Sequence, residues 1–195
     1  MRSTARIALA VMLGTGWAAG SVVAQDTTVG RPAAILVSGP RMGDRAPDFS
    51  LPWSSKDSLN GDPWFSLSAQ RGKAVVLAFY PKDFTPSCTA EMKTFADQFQ
   101  DLFGNDVVVV GINADSLTTH QRFAQSLGLP FRLLTDRDQR VSNRYGSADE
   151  NGYNRSTIYV IDRKGLVAYT DLRFRPLESK SYSELKSAIR DALRD

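Results

Sequence analysis

Phe79 to Met92 reads Phe-Tyr-Pro-Lys-Asp-Phe-Thr-Pro-Ser-Cys-Thr-Ala-Glu-Met and holds Cys88, the single cysteine among 195 residues. The run before it, Lys73 to Tyr80, is short, apolar and rich in β-branched and aromatic residues, which predicts a buried strand ended by Pro81. After it, Met92, Phe95, Phe99 and Leu102 recur at spacings of three and four, with Gly104 just beyond, so an amphipathic helix is expected. Pro86 suits its first position, where the missing amide proton would have been unpaired, and Thr85 suits the N-cap. Cys88 therefore falls in the first helical turn. There the unpaired amides and the helix dipole favour its thiolate, while burial on the face of Met92 and Phe95 opposes it. A nearby cation is expected to tip the balance.

The spacing of Pro81, Thr85 and Cys88, a proline, three residues, a threonine, two residues and the cysteine, resembles the active-site motif of the peroxiredoxins. The Tyr-Pro-Lys-Asp start and the Cys-Thr-Ala-Glu end are most similar to the bacterioferritin-comigratory subfamily. The resemblance extends over most of 43–195: Gly43 to Leu51 is similar to the opening of many members, and Arg155-Ser-Thr-Ile-Tyr-Val-Ile-Asp-Arg-Lys-Gly165 to a later segment. It implies a thioredoxin-like α/β fold with a central mixed sheet flanked by helices. It also implies a thiol-dependent peroxidase for hydrogen peroxide or organic hydroperoxides, with Cys88 as nucleophile. Thr85 and Arg155 are then donors to developing charge, and Pro81 shields the sulfur. Glu91 stands where the family commonly has a glutamate; it either orients an arginine or satisfies the helix N-terminus. Many members carry a second cysteine five residues on, where this chain has Lys93, so a one-cysteine cycle follows, with the sulfenic acid resolved by an external thiol, a thioredoxin-like protein or a small molecule. A cysteine hydrolase and a non-catalytic thioredoxin-like partner protein are the other classes that the lone cysteine leaves open.

His120, the one histidine, lies among Thr118, Thr119, Gln121 and Arg122 and is read as a solvent-facing helical residue. One cysteine and one histidine give no metal spacing, no glycine-rich nucleotide fingerprint follows a strand, and no cofactor or metal is expected. Charges of both signs alternate without a basic block, so neither nucleic acid nor a membrane surface is indicated as partner.

At the start, Arg2 and Arg6 precede an uncharged run and small residues ending Val22-Val23-Ala24, the layout of a secretory signal. Residues 1–24 are read as that signal, cut between Ala24 and Gln25, with Gly20 a second possible end and an uncleaved anchor the alternative. The mature chain would be periplasmic or secreted, without stable membrane association. Removing Arg2 and Arg6 leaves 22 basic residues against 21 acidic, so the basic pI has little meaning. Residues 25–42 read as a linker and 43–195 as one thioredoxin-like domain. Within it, Phe49 and Leu51 mark an edge strand and 53–64 a surface loop or hairpin. Further strands are expected at 106–114, 132–135, 156–161 and 166–170, and helices at 117–127, 139–145 and 182–193. Oligomeric state is not legible.

Overall fold

The computed structural model describes residues 39–194; the signal segment, its cleavage site and most of the 25–42 linker lie outside them. A six-stranded sheet runs in the order β2 (Trp53–Ser54), β6 (Arg132–Thr135), β5 (Val107–Asn113), β4 (Ala74–Phe79), β7 (Thr157–Ile161), β8 (Val167–Asp171). β4 pairs parallel with β5 and β5 with β6, whereas β2, β7 and β8 join antiparallel. A two-stranded ribbon of β1 (Ser50–Leu51) and β3 (Phe65–Ser66) stands beside it. Residues 53–64, expected as a loop or hairpin, therefore begin with an edge strand, whose Trp53 ring lies under the Arg132 guanidinium at 4.3 Å.

Both faces of the central strands are covered, which is why β4 and β5 read as unbroken apolar runs rather than alternating ones. Along β4 the period of two divides the core. Ala74, Val76, Ala78 and Tyr80 face Cys88, Met92, Phe95, Phe123, Leu185 and Ile189, while Val75, Leu77 and Phe79 face Phe49, Phe65, Val141 and Tyr145. The first layer belongs to α1 (Pro86–Asp97), α2 (Phe99–Leu102), α3 (Leu117–Leu127) and α5 (Ser179–Ala192), the second to the ribbon and α4 (Arg140–Arg144).

The expected long cysteine helix is broken at Gln98, where φ −108° and ψ 19° leave the helical region, so α2 is a separate turn. α3 matches its expected bounds, because Ser116 accepts a hydrogen bond from the Thr119 amide and Gly128 closes the helix at φ 65°. Gly39 packs against the Tyr145 carbonyl and the Tyr159 hydroxyl, so backbone contacts with the domain begin ahead of Gly43.

Phe95 fastens α1 to the far helix: its ring lies 5.2 Å from Phe103, 6.1 Å from Phe174 and 5.9 Å from Tyr182. Replacing such a fully buried ring by alanine costs about 3–5 kcal/mol. Phe95→Ala is expected to lower the urea unfolding free energy by that amount, and a loss below about 1 kcal/mol would mean that α1 is held mainly elsewhere.

Candidate active site

β4 delivers the chain to Tyr80, Pro81 to Thr85 form a short loop, and α1 starts at Pro86 with extended backbone at Thr85 (φ −82°, ψ 148°). The cap departs from the expected form: the Thr85 hydroxyl does not bond the helix amides but donates to the Lys82 carbonyl at 3.1 Å. It thus lies back over the loop rather than along the helix. Cys88, in the first turn, is 1 % exposed and packs with Ala78, Tyr80 and Met92. Burial pushes its thiol up; the Thr85 hydroxyl, the Lys82 backbone and the Ser87 hydroxyl pull it down, and the charge of Glu91 pushes the same way as burial. The net shift is upward. Desolvation outweighs the groups that draw the thiol down, which are individually placed donors in the loop and first turn.

Glu91, one turn further on the inward face, is 0 % exposed, and neither carboxyl oxygen has a hydrogen-bond partner among the described residues. Burial pushes its carboxyl up to about 8, with Ser156 the one side chain pulling the other way. It is a neutral acid near pH 7, not the charged group that would satisfy a helix N-terminus.

Arg155 stands at the entrance to β7. Phe79, two residues before Pro81, pairs with Thr157, two residues after Arg155. Its guanidinium is exposed and donates to the Gly146 and Ala148 carbonyls, both at 3.1 Å. The fold brings Thr85 and Glu91 to the Cys88 sulfur, leaves Pro81 in the loop before α1, and turns the Arg155 side chain onto a neighbouring loop. Lys93 is on the outer face of α1, paired with Asp97 at 2.9 Å.

His120 and Asn154 are among the buried polar groups that escaped the sequence reading. His120 is fully buried rather than solvent-facing, because it shares the inward face with Phe123 and Ala124 at spacings of three and four, and the carboxylate of Asp83 meets its Nδ1 at 2.8 Å. Asn154, next to Arg155, is also buried and donates to the Ile112 carbonyl at 3.0 Å, tying the arginine's loop to β5.

A thiol sheltered at the first turn of a helix, under a Pro and Thr loop on a mixed five-helix, six-stranded thioredoxin-like framework, defines a thiol-dependent peroxidase. The comparisons agree. Residues 42–170 match the model of the AhpC/TSA family. Peroxiredoxin Bcp of Bacillus subtilis is 33 % identical over 132 residues, covering 64 % of this chain and 80 % of that protein. Among solved structures, the peroxidoxin BcpB of Mycobacterium tuberculosis superposes with a TM-score of 0.66 at 25 % identity, covering 78 % of this chain and 97 % of that one. AhpC of Enterococcus faecalis gives 0.69 at 18 %, covering 78 % and 92 %, a likeness of fold. The chain belongs to the AhpC/TSA family and is a one-cysteine peroxiredoxin of the Bcp type.

The state of Glu91 has a consequence for stability. Its pKa is raised from 4.5 to about 8 in the folded protein, so across that window the folded chain binds more protons than the unfolded one, and stability falls as pH rises. Urea midpoints from pH 5 to pH 9 should decline more steeply for the wild type than for Glu91→Gln, which removes the ionisation and keeps the shape. Parallel profiles would mean that a cation pairs with this carboxylate in the resting protein.

Proposed function

We propose that Cys88 is the peroxidatic residue of a peroxidase whose thiolate is served by Thr85, its own amide and Arg155, and that an external thiol completes the cycle. The observation that carries this reading is the near-complete burial of Cys88 in the first turn of α1, with Thr85 and Lys82 drawing its thiol down against desolvation. Core packing alone calls for no such donors.

In the reaction the Cys88 thiolate attacks one peroxide oxygen. An S–O bond forms as the O–O bond breaks, sulfur is oxidised by two electrons, and the departing oxygen leaves as hydroxide or alkoxide and takes a proton. Cys88 is left as a sulfenic acid, with water or an alcohol as the other product. A reducing thiol then displaces water to form a mixed disulfide, and a second thiol releases Cys88 as the free thiol. The chain has no second cysteine, so both electrons come from outside.

Donors must face the departing oxygen as it gains charge. Arg155 serves there by rotating off the Gly146 and Ala148 carbonyls; it lies two residues before the strand that pairs with Phe79, and the Glu91 carboxyl is the group that would orient it. Pro81, half-buried at the end of β4, keeps bulk water from the sulfur. The N-terminal charge pattern supports export of the chain to the periplasm or medium, where the reductant would be a thioredoxin-like protein or a small thiol. N-terminal sequencing of the exported protein should begin at Gln25.

Folded protein treated with one equivalent of hydrogen peroxide should consume it without added reductant, and mass spectrometry should find one added oxygen on Cys88. An unmodified Cys88 after excess peroxide contradicts the assignment. Arg155→Ala should slow the reaction by about 10²-fold with little change in unfolding midpoint, the ordinary effect of removing one charge-stabilising donor; an unchanged rate would return Arg155 to a surface role on its loop.

A further inference from the structure

The buried groups that the peroxide chemistry leaves unused converge on Asp83, five residues before the cysteine. Its Oδ1 accepts from the Tyr80 hydroxyl at 2.6 Å and from Asn113 Nδ2 at 3.1 Å, and its Oδ2 lies 2.8 Å from His120 Nδ1. The Asp83 amide in turn donates to the Asp115 carboxylate at 2.8 Å, and the Asp115 amide to Asn113 Oδ1 at 2.6 Å. Tyr80 follows β4, Asn113 ends β5 and His120 belongs to α3, so one loop carboxylate gathers donors from three elements. Tyr80, Asp83, Asn113 and His120 are all buried. A carboxylate only accepts, which fixes His120 Nδ1 as a donor, and no partner takes Nε2 among the described residues.

Such a network adds little that apolar packing could not supply to stability, since buried ionic groups replaced by apolar ones of similar shape often leave a protein as stable. Its place in the chain is what matters. Lys82 and Thr85, which flank Asp83 and Phe84, carry the backbone and hydroxyl groups that act on Cys88. Phe84 holds φ 60°, a left-handed conformation uncommon for an aromatic residue, and though its side chain is 51 % exposed its ring sits 4.9 Å from Phe123 of α3. Strain of that kind persists where the surroundings hold it. Asp83 and Phe84 are thus both fastened to α3, at His120 and Phe123, three residues apart on its inward face.

We propose that Asp83, gripped by His120, Tyr80 and Asn113, is a positioning device that fixes Lys82 to Thr85 over the Cys88 sulfur, with His120 as its remote positioning residue. The proposal rests on Cys88 being the peroxidatic thiol. It assigns His120 no contact with peroxide. Its effect passes through the loop, and it should therefore govern reactions that need aligned donors more than those that need only an accessible thiolate.

The test compares the rate of Cys88 with hydrogen peroxide to its rate with iodoacetamide, which requires a thiolate but no donors on a departing oxygen. In His120→Phe, which keeps a ring and removes the donor, the ratio of peroxide to iodoacetamide rates should fall by at least about tenfold, the order of loss that misplacing reactive groups brings. His120→Asn, whose amide nitrogen can stand near the lost Nδ1, should restore most of it. A folded His120→Phe protein with the wild-type ratio overturns the proposal, as does a loss that His120→Asn leaves unrepaired. If His120→Phe fails to fold, Tyr80→Phe deletes one hydroxyl from the same carboxylate; a lowered ratio there supports the device and an unchanged one overturns it. Inert wild-type protein would strike the peroxidase reading itself. The positioning claim is then read from amide exchange at Phe84 and Thr85, faster in His120→Phe than in wild type or His120→Asn if it holds, and equal in all three if it does not.

Discussion

Desolvation of one sulfur atom is the constraint around which this molecule is arranged. Packing Cys88 among Ala78, Tyr80 and Met92 shelters it from bulk solvent and also disfavours the charged form that reacts. A thiol on a solvated helix terminus would ionise more readily and react with whatever approached. Here the opposing help is local and directional, from the Thr85 hydroxyl, the Lys82 backbone and Ser87. The ionisation of Cys88 is thereby tied to the shape of a five-residue loop.

The framework makes that loop reproducible. Parallel pairing of β4 with β5 and antiparallel pairing with β7 bring three strand ends to one edge: Tyr80, Asn113 and the Arg155 approach. Helices pack on both faces, so the strands hold their register through apolar contacts, and the polar groups at their ends are free to bind the loop. Glu91 shows the other side of the same economy. A carboxyl in so dry a place holds its proton up to about pH 8, and an approaching cation would favour its charged form. The guanidinium of Arg155, held on the Gly146 and Ala148 carbonyls, is the cation proposed for that role.

Much of this could be read along the chain. A β-branched run stopped by Pro81 marked β4, Thr85 with Pro86 marked the start of α1, and Ser116 with Gly128 marked both ends of α3, because those signals are local. The two-residue strand at Trp53 could not be read, since its pairing with Leu133 and Leu134 is made by residues 80 positions away and leaves no period of its own. The break at Gln98 lies inside an apolar pattern that continues through it, so spacing alone joins α1 to α2. His120 was misplaced for an instructive reason. Its neighbours in sequence are polar, yet its spacing to Phe123 and Ala124 is that of one helix face, and the partner that makes burial tolerable, Asp83, is 37 residues earlier. The motif residues were legible because they are contiguous, whereas the network that holds them was not.

A hydroxyl has one proton, and Thr85 directs it to the Lys82 carbonyl while Cys88 is a thiol; ionisation of the sulfur draws that proton across. The central claim, that placed donors and not helix position make Cys88 reactive, is therefore tested most directly by stopped-flow measurement of peroxide reaction in Thr85→Val beside Thr85→Ser. The account predicts that valine, of equal shape and without the proton, slows the reaction by about 10²-fold and that serine stays within about tenfold of wild type. A valine variant reacting as fast as the wild type would contradict it and return the origin of reactivity to the helix terminus.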